Sequence, residues 1–232
     1  MRAAFGLLSV LLLAPACADS NGENSKLREW DGERLHSTIS PVADFFAAES
    51  FDYLGNFVFV LRDTSTVDRH VWAETTDGRI DSLLIVQFER FLPAVDGTFG
   101  FGIPPQGGQS GGDFKFSPEE VSFGDAAYVH NTWALNHEDN AAANPEAESA
   151  ATLAFLEGHG LSLDAEVIMS RAVRVASDDA RAELILFYIE PLAARGAELA
   201  SFDPEGPMTE AYELLSDTVT ARHLEVFRVE AN

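Results

Sequence analysis

The sequence predicts an α+β fold, an antiparallel sheet of about five to seven strands with a few helices packed on one side. Three observations predict it. A meander of alternating strands spans residues 56 to 92. A second apolar hairpin follows near residues 167 to 190. Two punctuated helical stretches lie near residues 145 to 157 and 209 to 222.

The meander is the plainest of these. "NFVFVL" is a short apolar run of the kind that forms a buried strand. "VDRHVWAE" alternates, with Val67, Arg69, Val71 and Ala73 on one side and Asp68, His70, Trp72 and Glu74 on the other. Asp77-Gly78 supplies the positive φ that tight hairpins need. "SLLIVQFERF" then returns with Leu84, Val86 and Phe88 on one face. Such alternation predicts one packed face and one less buried face. Before the meander, "SPVADFFAAES" predicts a short helix. Ser40 caps it, Pro41 starts it, and Val42, Phe45 and Phe46 share a face.

From Pro93 to Pro118 glycine and proline predominate, predicting a long loop with a short strand near Phe99 to Ile103. "DAAYVHNTWALNH" predicts another strand. Asn144 then caps a helix begun by Pro145 and stopped by Gly158 or Gly160, with Leu153 and Leu156 inward. "VIMSRAVRVA" and "ELILFYIE" form the second hairpin about "SDDAR". A helix over "DDARAELILF" is the alternative for the second strand, and its β-branched and aromatic run favours the strand. "TEAYELLSDTVTARHL" predicts a helix with Leu215 and Val219 inward, and "EVFRVE" a closing strand.

Composition narrows the function classes. The 232 residues hold 38 Asp and Glu against 15 Lys and Arg, a net charge of −23. A chain this acidic is repelled by nucleic acid and anionic headgroups, so nucleic acid is not an expected partner. A single cysteine excludes cysteine zinc sites and redox pairs. "GTFGFG" is followed by Pro104-Pro105, so no helix starts there to hold a phosphate. No cofactor is implied.

The opening residues read as an address. Met1-Arg2 precedes "AAFGLLSVLLLAPA", an apolar run too short to span a bilayer. That order describes a secretory signal peptide over residues 1–16. Ala14-Pro15-Ala16 suits ordinary signal peptidase. "APAC", ending at the lone Cys17, resembles the lipobox of bacterial lipoproteins, departing from it in having Ala14 where leucine is usual. The resemblance implies cleavage before Cys17, lipidation there by palmitate-type chains, and a bacterial membrane address at the outer membrane or facing the periplasm. The polar residues 17–36 then form a flexible tether. Residues 37–232 form a single domain. The meander from Tyr53 to Pro93 resembles stretches of bacterial proteins that carry no family name.

Candidate chemistry is sparse. His70, beside Trp72, and His130 are acid–base candidates when paired with an acid such as Glu89. His130 and His137 are ligand types for a metal, but their spacing puts them on opposite faces of a strand, and Glu138 and Asp139 read as a solvated turn. Ser110 and Ser170 lack the context of a nucleophile elbow. Trp72, Phe88, Phe99 and Phe101 are candidates to line an apolar ligand cavity, and they also suit a plain core. The first functional expectation is an envelope-anchored binding or interaction protein, its partner a small apolar ligand or a protein. The second is an extracytoplasmic hydrolase using His70 or His130. A purely structural envelope protein is the third.

Overall fold

The computed structural model describes residues 27–101, 114–115, 119–201 and 210–231. In chain order the strands are β1 (Arg28–Trp30), β2 (Leu35–Ser37), β3 (Ala43–Ala47), β4 (Asp52–Leu61), β5 (Ser65–Thr76), β6 (Arg79–Phe91), β7 (Phe114–Lys115), β8 (Glu119–Phe123) and β9 (Ala126–Asn136). Helices α1 (His137–Ala143) and α2 (Glu148–Gly158) follow. Then come β10 (Glu166–Val175), β11 (Ala182–Pro191), α3 (Glu210–Val226) and β12 (Phe227–Ala231).

The strands form two antiparallel sheets. The larger has eight strands, ordered β4-β5-β6-β11-β10-β9, with β7 and β8 both on the far edge of β9. The smaller is ordered β1-β2-β3-β12. The expected meander and second hairpin are both present, and β11 joins them by pairing with β6. Asp77 and Gly78 turn β5 into β6 with φ of 52° and 79°, the left-handed pair a tight hairpin requires.

Both faces of the large sheet are covered. On the front face, Trp72, Leu84, Val86 and Tyr188 pack with Leu35, Phe45 and Phe227 of the small sheet and with Tyr212 and Val219 of α3. On the back face, Val71, Leu83, Ile85, Val167 and Phe187 pack under Leu156 of α2. The helices therefore lie on opposite faces, which corrects the expectation of helices on one side. The expectation of one less buried face is corrected with it. The period-two pattern marks a sheet but does not say how many layers cover it.

Local departures have local causes. Residues 43–47 form a strand, not the expected helix. Pairing with β2 and β12 overrides the cap-like Ser40-Pro41, whose peptide bond is cis. The helix expected at Asn144 starts later, at Glu148. Asn144 instead closes α1, whose N-cap is Asn136, its side chain accepting from the Asp139 amide at 2.9 Å. The acids expected in a solvated turn thus occupy the first turn of α1, where they complement the dipole. On α2 the inward side chains are Thr152 and Leu156, with Leu153 only half-buried. Residues 28–30 and 35–37, inside the stretch whose polarity suggests a tether, are strands of the small sheet. Arg28 leaves solvent there, its guanidinium 3.8 Å from the centroid of Phe88. Residues 99–101 are irregular rather than a strand, with the Phe99 amide donating to Ala180 O at 2.7 Å. Ile103 lies outside the described residues.

Helix α3 buries Tyr212, Ser216, Val219, His223 and Val226, one stripe at three- and four-residue spacing. The stripe carries two polar members, and these reach into the front of the large sheet.

Candidate functional site

The back face carries charge where its neighbours are apolar. Along one row of the register stand Val129, Val173, Ile185, Gln87 and Arg69. In the next row Glu183 pairs directly with Glu89. Arg171 lies one row to the other side, opposite Phe187. A sheet face buried under helices loses free energy with each such group unless the group is paired, so a central polar patch needs a reason.

Arg69 is 4% exposed and fully engaged. Its Nε donates to Gln87 Oε1 at 2.5 Å, and its Nη2 donates to Glu148 Oε1 at 2.9 Å. Its Nη1 donates to the Glu148 carbonyl at 3.2 Å and to Thr152 Oγ1. Helix α2 is thereby fixed to the sheet through its first turn. Burial opposes ionisation of Glu148, but Arg69, Gln87 and Arg171 outweigh it and hold its pKa below the usual range. Gln87 Nε2 donates both to Glu148 Oε1 at 2.8 Å and to Glu89 Oε2 at 3.0 Å, while Ser65 Oγ donates to Glu89 Oε1 at 2.5 Å.

Glu183 has a different environment. Burial and the charge of Glu89 push its pKa up to about 8, with Arg171 opposing. At neutral pH Glu183 therefore keeps its proton. Arg171 lies with its guanidinium 5.6 Å from the centroid of Trp133. It feels the charges of Glu183, Glu148 and Glu89, yet among the described residues it makes no hydrogen bond or ion pair.

These groups border a cavity of about 580 Å³ between the sheet and helices α1 and α2. Its apolar wall includes Ile85, Leu135, Met169, Phe187 and Ile189, and its polar wall includes Arg171, Glu183, Asn140 and His137. His137 is 3% exposed, and neither ring nitrogen has a hydrogen-bond partner. Burial and the nearby Arg69 lower its pKa to about 4, so the ring is neutral at pH 7. The size and mixed lining suit a small organic molecule.

The histidine candidates lie elsewhere. His130 and His223 converge on one hydroxyl, with His130 Nε2 2.7 Å and His223 Nδ1 2.8 Å from Ser170 Oγ. His130 Nδ1 is 3.3 Å from Glu119 Oε1. Glutamate, histidine and serine thus stand in sequence, but Ser170 is 0% exposed. The string ties β8, β9, β10 and α3 together across the front face. His70 is also enclosed there, Nδ1 2.9 Å from Tyr53 Oη and Nε2 3.5 Å from Asp68 Oδ1.

His130 faces the front of the sheet and His137 borders the back cavity, so the two are not joint ligands. Among the described residues no group of three or more His, Cys, Asp or Glu is arranged to hold a metal. The aromatic candidates also separate. Trp72 and Phe88 belong to the front core, where Trp72 meets Tyr53 at 5.0 Å and Phe88 meets Phe45 at 5.6 Å. Phe99 stacks on Phe91 at 4.3 Å, and Phe101 packs against the back core. None of the four borders the cavity under α1 and α2. Cys17 and Ser110 lie outside the described residues.

Arg69, Arg171 and Glu183 were legible through one signal. Each is a charged residue with an apolar core residue two positions along its strand, Val67 and Val71, Val173, and Ile185 respectively. No protein-family model matches the chain, and no curated protein or solved structure matches it.

Proposed function

We propose that this chain is a small-molecule-binding protein, exported and held at a bacterial envelope through lipid on Cys17, and that the cavity beneath α1 and α2 is its binding site. The observation that carries the binding reading is that cavity with its inset patch of buried ionisable groups. A sheet face kept only for stability gains more from apolar side chains at Arg171 and Glu183 than from charges. The envelope address rests on the opening sequence alone. A hydrolase centred on His70 or His130 requires a substrate to reach side chains that are each 2% exposed, and neither borders the cavity.

Native mass spectrometry of the purified chain tests the reading. A small-molecule adduct is expected that is lost on denaturation and is absent from Ile189→Trp, whose indole fills the apolar end. A wild-type chain free of adduct, or an adduct that Ile189→Trp retains, counts against the cavity.

A further inference from the structure

We infer that the ligand of this cavity carries a carboxylate, seated on Arg171, with an apolar body along Met169, Phe187 and Ile189. The inference rests on the binding reading above and specifies its chemistry.

The two arginines of the back face are in opposite conditions. The fork of Arg69 is used up by Gln87, Thr152 and both ends of Glu148. Arg171 has five N–H donors and, among the described residues, no acceptor. The Trp133 ring lies beside it, its centroid 5.6 Å from the guanidinium carbon. A planar guanidinium fork matches a carboxylate in bidentate geometry. Elsewhere on the same cavity the two ring nitrogens of His137 are buried without partners. A buried polar atom left so is expensive unless something fills the space. A neutral imidazole offers one N–H donor and one acceptor to a polar group on the ligand body without adding charge.

Charge balance argues for a monoanion. Arg69 and Glu148 cancel. Arg171 offsets the charge of Glu89 while Glu183 holds its proton. The patch is then neutral, and the exposed Arg62, which also lines the cavity, adds one positive charge that a single carboxylate balances. A phosphate dianion would place a second negative charge beside the two acidic side chains Glu89 and Glu183. A cationic ligand would meet Arg171. The apolar wall excludes a ligand that is polar throughout.

Calorimetric titration of the full chain with decanoate, decanol and decylamine, three probes of one shape and different heads, tests this. Decanoate is expected to bind at least tenfold more tightly than decanol, and decylamine not at all. In Arg171→Met that preference is expected to vanish, with decanol affinity unchanged. Equal binding of decanoate and decanol by the wild type would overturn the carboxylate while leaving the binding cavity in place, as would a preference for decylamine. This arm needs no variant to fold. If none of the three probes binds, both readings fail.

Discussion

Glu183 and Glu89 face each other directly across the register of β11 and β6, two acids at the centre of a buried sheet face. Their neighbours are Arg171, Arg69 and Glu148 from the sheet and α2. Burial and the charge of Glu89 raise Glu183 from its ordinary 4.5 to about 8. Between those values the folded protein keeps a proton that the unfolded chain has released. The stabilisation is therefore complete below about pH 4.5 and is lost as pH rises through 8. Glu183→Gln keeps the shape and a donor but removes the titration. Its melting temperature relative to wild type is expected to climb from about pH 6 to about pH 9. Parallel melting curves across that range would show that Glu183 holds no proton there.

Arg69 is the centre of the polar patch, and its removal should be felt through its partners. Arg69→Met leaves Gln87 and the first turn of α2 without their donor and Glu148 without its counter-ion. Breaking a buried pair from one side destabilises by about 3–5 kcal/mol, less here because Glu148 is 37% exposed. Adding Glu148→Gln should recover part of that loss, since the orphaned charge is then gone. Urea denaturation of the two variants decides it. A double variant less stable than the single one would mean that Glu148 is held by something other than Arg69.

How far these features were visible in the sequence depends on the range of the forces that make them. The meander was legible because its signals are local: Asp77-Gly78 fixes a hairpin, and Trp72, Leu84 and Val86 fall on one face by parity. The strand at Ala43–Ala47 was not, because its stability comes from pairing with β12 at the other end of the chain. The sidedness of the helices was also out of reach. Leu156 and Val219 both read as inward, and nothing local says toward which face. The site lay half in view. Arg69 alternates with Val67 and Val71, and Arg171 with Met169 and Val173, yet each looks like an isolated exception until the register sets them on neighbouring rows. The aromatic residues drew attention instead, and Trp72 and Phe88 prove to be core because bulky rings suit a pleated surface between two layers.

The proposed lipid anchor at Cys17 makes a prediction that the folded domain does not influence. If acyl chains are attached there, the wild-type chain partitions into the detergent phase of a phase-separation assay, because each buried methylene adds to membrane affinity. Cys17→Ala is expected to move the protein to the aqueous phase or to leave it unprocessed. An unchanged detergent fraction for that variant, with normal processing, would exclude the anchor.

Ser170 holds the front of the sheet to α3 by meeting two histidines at one oxygen, and with its own buried proton donated to one of them two arrangements remain. In one, His130 Nε2–H donates to Ser170 and Ser170 donates to His223 Nδ1. In the other, Ser170 donates to His130 Nε2 and His223 Nδ1–H donates to Ser170, which leaves a proton on His130 Nδ1, 3.3 Å from Glu119 Oε1. The second arrangement places that proton toward a carboxylate. Burial lowers His130 to about 4, and burial with the nearby His130 lowers His223 well below its ordinary value. Both rings are thus neutral when folded. Their contribution to stability is present above the ordinary histidine value of 6.5 and is lost as pH falls toward 4. Nitrogen-15 spectra of the imidazoles at about pH 5.5 should show His130 with a protonated Nδ1 and a bare Nε2, and His223 with a protonated Nδ1. Ser170→Ala strands two buried ring nitrogens and is expected to cost about 1–3 kcal/mol. Imidazolium signals from either ring at that pH, or a Ser170→Ala chain as stable as wild type, would mean that water reaches this string and that the layers are held together without it.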